Sequence, residues 1–466
     1  MLLKKKQGQP LKAGGRIRRT DVDMTEGNIT RHIITFAIPL LLGNVFQQLY
    51  NMVDTWVVGN FVSNEAYSAV GSVGPICNML IGFFLGLASG AGVVISQFYG
   101  AGRHQEVKDT VHTSILLTGI MTLVFMVVGN LMTPAMLKLM NTPAEVFPES
   151  ERYLRIYFTG VGGLMFYNIG SGILRAVGDS RRPFYFLVVS ALLNVALDLL
   201  FVIVFEMGVS GVALATVISQ VVSALLTLIA LMRNSSCVKL QLLRLKLHWN
   251  MLLKICKVGI PAALQMTVTS FSNVFVQSYI NFFGADCMSG WTTYSKVDQL
   301  IFLPMQSIAL ASTTFVGQNL GKNQPQRARQ GVRSSLLIAL ASTAVMMIPV
   351  IIFAPHIVKF FNAKPEVVEF GTVFLHWITP FYILCVFNQV YSGALRGAGN
   401  SKMPMIIMLI SFVAFRQVYL FVMSRVCNEI LPIAMGYPAG WLLSAILTAV
   451  YYHTVKLSKS RLIDDD

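Results

Sequence analysis

The sequence predicts an all-α polytopic membrane protein, with about 12 transmembrane helices in two six-helix bundles related by a parallel pseudo-two-fold repeat. Three observations lead there. The chain of 466 residues is 55% hydrophobic and only 12% charged, about half the charge usual in a soluble domain. Apolar runs of about 20 residues or more recur along it, the length that crosses a bilayer core. The segment SGILRAVGDSRRP at 171–183 returns as SGALRGAGNSKMP at 392–404.

The repeat is more than one motif. Ser171, Gly172, Leu174, Arg175, Gly178, Ser180 and Pro183 recur as Ser392, Gly393, Leu395, Arg396, Gly399, Ser401 and Pro404. Gln97 and Gly100 return as Gln318 and Gly321, and Ile38-Pro39 as Ile260-Pro261. A near-constant offset over most of the chain indicates a duplicated unit far longer than a solenoid repeat. Six spans return the chain to its starting side, so the two copies share one orientation.

In order, residues 1–30 form a basic tail without an apolar h-region, so it is no cleavable signal peptide; its composition predicts disorder. The first lobe, 31–232, holds apolar runs at 33–58, 64–98, 110–132, 150–173, 184–205 and 209–231. Residues 135–149, with Pro143 and Pro148, interrupt them as a short interfacial piece. Residues 233–250 are a linker with Arg233, Lys239, Arg244 and Lys246. The second lobe, 251–456, has runs at 251–282, 287–318, 334–354, 367–393, 403–426 and 432–455, and 457–466 is a tail. Pro39, Pro75, Pro261, Pro304 and Pro380 fall inside these runs, where neighbouring helices can satisfy the carbonyls they free. A soluble core helix keeps a polar face, and these runs do not.

The net charge of +15 would suggest nucleic acid were the charges spread evenly. Most of the Lys and Arg instead fall in the first tail, after even-numbered spans and at the C-terminus. That is the bias of cytoplasmic loops, which puts both termini inside and leaves no nucleic-acid partner. The six cysteines lack metal spacing and any CxxC; they read as buried or lipid-facing thiols, with a Cys287–Cys427 disulfide a remote alternative. No Walker, GxSxG or HExxH motif is present, so nothing points to an enzyme.

Five charges lie deep in the apolar runs: Asp54, Asp198, Asp298, Lys296 and Arg416. Each costs roughly 2.5–3.5 kcal/mol at the bilayer centre even on lenient scales, so each demands a partner or a wet cavity. Asp54 follows Tyr50 by one turn, and Asp198 follows Asn194 by one turn, so each pair shares a helix face. Thr216 comes next in the sixth run. Asp54, Asn194 and Asp198 have no identical counterparts 221 residues on, which places the charge-dependent function in the first half. Two readings remain at this point. Each aspartate makes one interhelical hydrogen bond as a protonated acid, or both line a first-half cavity. In the second case two close carboxyls cannot both ionise easily, and their protons belong to the pair. Such a pair can exchange a proton or a sodium ion. Asp298 pairs with Arg416, or Lys296 belongs with it, or these groups meet a cationic substrate. Arg175 and Arg396 occupy matching positions at span ends and read as structural.

On VDTWVVG at 53–59, SGILRAVGDS at 171–180, NVALD at 194–198, TTFVGQNLG at 313–321 and SGALRGAGNS at 392–401, the chain resembles the multidrug and toxic compound extrusion family of transporters. The likeness covers roughly residues 25–455. It implies two six-helix bundles facing a central cleft, and export of organic cations or amphipathic toxic compounds in exchange for protons or sodium ions. It also implies a first-lobe cation or proton site at Tyr50, Asp54, Asn194, Asp198 and Thr216, with sodium at Asp54, Asn194 and Asp198 as the metal to consider. Some sodium-coupled members carry carboxylates on helices 7 and 10. Here helix 7 has no acid and helix 10 offers Asn388 and Gln389, leaving Asp298, Lys296, Arg416, Asn388 and Gln389 as a candidate second-lobe polar cluster. No cofactor is implied beyond the coupling ion. Expected partners are drug-like small molecules and membrane lipid, and the expected state is a monomer in a bacterial inner membrane. A flippase for lipid-linked precursors or polysaccharide is the competing reading; such relatives have extra helices and a strongly cationic cavity.

Overall fold

The computed structural model describes residues 22–62, 64–140 and 142–463. The first half folds as α1 (Ile29–Phe61), α2 (Asn64–Gly100), α3 (His104–Leu139), α4 in two pieces (Phe147–Thr159 and Val161–Ala176), α5 (Arg181–Val204) and α6 (Gly208–Met232). The second half gives α7 (Trp249–Asn281), α8 (Ala285–Gly321), α9 (Pro325–Ile352), α10 (Pro365–Gly397), α11 (Lys402–Val426) and α12 (Ile430–Thr454). A short helix, Ala354–Phe361, precedes α10. Eleven of these twelve are long and apolar enough to cross a membrane. The remaining one, α4, is broken at Gly160 into pieces of 13 and 16 residues.

A Cβ on Gly160 would lie 2.1 Å from Val217 Cγ1, and one on Gly170 2.4 Å from Thr227 Cγ2. These small residues let α4 lie against α6, the usual device of membrane helix pairs. The same register in α10 holds a 3-10 turn at Thr379–Phe381 around Pro380, so the duplication extends to its irregularities.

The lobes meet along α2 and α7. Gly82, Gly86 and Gly90 form a stripe four residues apart on α2; a Cβ on Gly86 would lie 2.3 Å from Ala263 Cα, and one on Gly90 2.5 Å from Gly259 Cα. At the ends of α2 and α8 the approach is reciprocal. A Cβ on Gly100 would strike the Gln318 carbonyl oxygen at 2.0 Å, and one on Gly321 the Gln97 carbonyl oxygen at 2.0 Å. Toward the other end of α2, Gly71 and Gly74 meet nothing within 4 Å. The lobes are therefore sealed at the face where Met24 and Leu462 pack, and the glycines toward the opposite face meet no such contact.

Two glutamines stitch that seal symmetrically. Gln97 Nε2 donates to the Gly397 carbonyl at 2.8 Å, and its Oε1 accepts from Leu462 N at 2.8 Å. Gln318 Nε2 donates to the Ala176 carbonyl at 2.9 Å, and its Oε1 accepts from Met24 N at 2.9 Å. Residues 22–28 of the first tail thus pack into the protein instead of lying free: Met24 is 1% exposed. The rest of that tail lies outside the described residues. The linker also packs, with Val238 and Leu240 buried against the first lobe.

Candidate functional site

The first-lobe site grows from polar residues spaced three or four apart in apolar helices, which puts them on one face. On α1 these are Asn44, Gln47, Tyr50 and Asp54; on α5 Ser190, Asn194 and Asp198; on α6 Thr216, Ser219, Gln220 and Ser223. Helices α1, α2, α4, α5 and α6 line a cavity of about 140 Å³, with Asn44, Gln47, Tyr50, Asn168, Asn194 and Thr216 among its walls. Arg175 reaches this cavity too, so its side chain faces the lobe interior.

Asp54 and Asp198 stand beside that cavity with their carboxyls within hydrogen-bonding reach of each other. Asp198 is 0% exposed and Asn194 1%. Among the described residues no group donates to either Asp198 oxygen or to Asp54 Oδ1, and both polar atoms of the Asn194 amide lack a partner. Thr216 Oγ1 spends its proton on the Val212 carbonyl at 3.0 Å, which leaves its lone pairs free to accept or ligate. Tyr50 sits within reach of Gln47, with Asp54 and Tyr167 close by. A π-helical turn, Leu200–Val204, begins two residues after Asp198; such turns interrupt a regular ladder and cluster at functional positions.

A buried carboxyl pair without donors is costly when both are ionised and stable when a cation joins them. One proton makes the contact an O–H···O bond. A small hard cation finds carboxylate, amide and hydroxyl oxygens, the ligand set such ions prefer. The five residues expected from the sequence are thus brought together around one apposed pair. Asn44, Gln47, Asn168 and Gln220 were not anticipated, though their three-to-four spacing inside apolar runs was the signal for the first two and for Gln220.

The second lobe differs. Where the first has Asn194, Asp198 and Thr216, the register 221 residues on holds Phe415, Tyr419 and Tyr437. Asp298 accepts from the Tyr382 hydroxyl at 2.5 Å and the Tyr294 hydroxyl at 3.4 Å. Around it, Trp291 packs on Phe374, Tyr294 and Tyr437, and Tyr382 packs on Trp441. Arg416, 1% exposed, donates to Ser272 Oγ at 2.5 Å and Asn273 Oδ1 at 3.0 Å, and lies over the Tyr437 ring at 4.8 Å. Lys296 Nζ sits 5.2 Å over the Phe361 ring. Among the described residues, Asp298 forms no ion pair with either base. Asn388 Nδ2 donates to Met408 Sδ at 3.4 Å, and its Oδ1 accepts from Ser392 and Thr448. The second-lobe candidates therefore divide among separate neighbourhoods. All six cysteines are free.

A family model, MatE, matches residues 39–200 and again residues 261–422. The chain belongs to the MatE family. The two matches of this MatE chain start 222 residues apart, which restates the duplication in independent terms. The probable multidrug resistance protein YoeA of Bacillus subtilis is 30% identical over 436 residues, covering 92% of this chain and 94% of that one. A second B. subtilis relative, the probable multidrug resistance protein YpnP, is 29% identical over 92% of this chain and 96% of its own. The FAD transporter of Shewanella oneidensis is 24% identical over 76% of this chain and 78% of its own. Among solved structures, an outward-facing multidrug resistance MATE transporter superposes with a TM-score of 0.86 at 23% identity, covering 93% of this chain and 97% of the other. A MOP superfamily transporter from Pyrococcus furiosus gives a TM-score of 0.87 at 22% identity, covering 92% of this chain and 96% of that one. These likenesses confirm the two-bundle membrane fold, and family membership makes the protein a membrane transporter of the multidrug efflux type.

Proposed function

We propose that this MatE protein is a secondary active antiporter that exports organic cations or amphipathic drugs in exchange for protons or sodium ions. The observation that carries the reading is the Asp54–Asp198 pair: Asp198 is fully buried, and among the described residues neither of its oxygens nor Asp54 Oδ1 has a donor, nor has the flanking Asn194 amide a partner. Its loading with a cation is favourable, and its negative charge when empty suits cationic cargo. The sealed face is taken as cytoplasmic, following the Lys and Arg bias, so the parted lobes face outward. A cation enters from outside, joins the pair and relieves the repulsion between α1 and α5. That alters the packing of α1 about its internal Pro39 and releases cargo; the loaded carrier then turns and discharges inside. The protein acts as a monomer in a bacterial inner membrane.

The energetics limit the coupling. Exchange of one proton for one monovalent cation moves no net charge, and one pH unit then supplies about 1.4 kcal/mol, roughly a tenfold gradient. Each net charge moved adds about 2.3 kcal/mol per 100 mV. A second reading, transport of an anionic or lipid-linked cargo, is favoured by Arg416, buried and without a carboxylate partner among the described residues. Proteoliposomes loaded with a fluorescent organic cation separate the two. Efflux driven by an imposed pH or sodium gradient supports antiport, and no response to either gradient from folded protein supports the second reading.

A further inference from the structure

The duplicated lobes treat one groove differently. In the first lobe α3 and α6 flank α4, and the groove between them is filled by the linker. Leu240 N donates to the Leu231 carbonyl at 3.1 Å, Gln241 N to His112 Nε2 at 3.3 Å, and His248 N to Thr113 Oγ1 at 3.1 Å. Val238 and Leu240 are 0% and 2% exposed there. The second-lobe counterpart lies between α9 and α12 over α10. Among the described residues nothing after α12 enters it: the chain crosses to the first lobe, where Leu462 is buried. The groove stays open as a cavity of about 260 Å³.

Its lining has changed to match. Lys108, His112, Gly170, Leu231 and Met232 of the first lobe are replaced at the same register by Arg329, Arg333, Tyr391, Tyr452 and His453. Tyr391 and Tyr452 stack at 4.5 Å and form the floor. Tyr391 Oη lies 3.5 Å from His453 Nε2. Among the described residues neither arginine has a hydrogen bond or an ion pair, and no acid lines the cavity. Arg329 and Arg333 lie one turn apart in the first three turns of α9, about 6 and 12 Å below its start. Below them, Leu337 on α9 and Ile446 and Val450 on α12 are 59%, 51% and 57% exposed.

We propose that this groove is a binding site for an anionic phospholipid, its phosphate held by Arg329 and Arg333 and its chains lying on the apolar flanks of α9 and α12. Two unpaired guanidiniums present forked donors that suit phosphate oxygens. Basic pockets between membrane helices near one surface take anionic headgroups. A free phosphate would find the same donors but no use for the apolar slope beneath them; the mouth-to-slope order is that of a lipid.

The test uses the full chain in detergent, with native mass spectrometry reading retention of phosphatidylglycerol, phosphatidylcholine and inorganic phosphate. Phosphatidylglycerol is expected to be retained over phosphatidylcholine, to resist competition by inorganic phosphate, and to fall about tenfold or more in Arg329→Gln/Arg333→Gln. Lys108→Gln, at the linker-covered counterpart, leaves retention unchanged. Equal retention by the double variant, no preference over phosphatidylcholine, or displacement by inorganic phosphate overturns the proposal. Should the double variant lose its folded profile, the single substitutions decide: each lowers retention several-fold, and unchanged retention in both overturns the site.

Discussion

Among the described residues no group donates to either Asp198 oxygen, so on the proposed reading its charge is a burden that a bound cation lifts. Asp198→Asn keeps the shape and removes the repulsion with Asp54. Two like charges sharing a low-dielectric site disfavour one another, so neutralising one relieves the other. The variant is therefore expected to melt at the wild-type temperature or above it, while ion-driven export falls to the level of empty liposomes. A melting point lowered by several degrees would instead make Asp198 a structural hydrogen-bond partner. Gln97 and Gln318 are the opposite case, because each side chain serves two backbone groups of the seal. Gln318→Leu leaves the Ala176 carbonyl and Met24 amide unpaired, at about 1–3 kcal/mol per group. Its unfolding midpoint in a denaturant titration should fall accordingly, and an unchanged midpoint would contradict the seal.

At the scale of elements, the seal depends on backbones meeting where glycine stands. Gly86→Leu forces side-chain atoms into Ala263, an overpacking worth about 1–3 kcal/mol. That should displace the sealed state and speed alkylation of a cysteine at position 96 (Ser96→Cys), now buried against Gly317, by about tenfold or more. Equal labelling rates would count against it. The helices themselves were legible because membrane spans announce themselves by length and apolarity, and the offset repeat announced the lobes. Three things were not. The π turns beside Asp198 and before Arg416 shift the hydrogen-bond ladder without a diagnostic residue. The docking of residues 22–28 and of Leu462 depends on partners hundreds of residues away, and a basic, polar tail reads locally as solvated. The ion pairs considered for Asp298 did not form, because tyrosine hydroxyls brought in by α8 and α10 satisfy it first.

For the whole molecule, the duplication supplied two equivalent lobes and divergence gave them different polar side chains. The first keeps the apposed carboxyls; the second fills the same register with aromatic rings around Asp298 and Arg416. Met24 and Leu462 both pack at the sealed face, so tags placed at the two termini should be protected or exposed together in sealed vesicles. Opposite exposure would refute the parallel arrangement.

The central claim is that Asp54 and Asp198 act as one cation site that couples ion entry to export. The most direct measurement is gradient-driven efflux of a fluorescent organic cation from proteoliposomes, comparing wild type with Asp54→Asn and Asp198→Asn. The account predicts that one gradient drives efflux and that both variants abolish it while remaining folded. Efflux that survives in Asp198→Asn but is lost in Asp54→Asn would contradict the paired site.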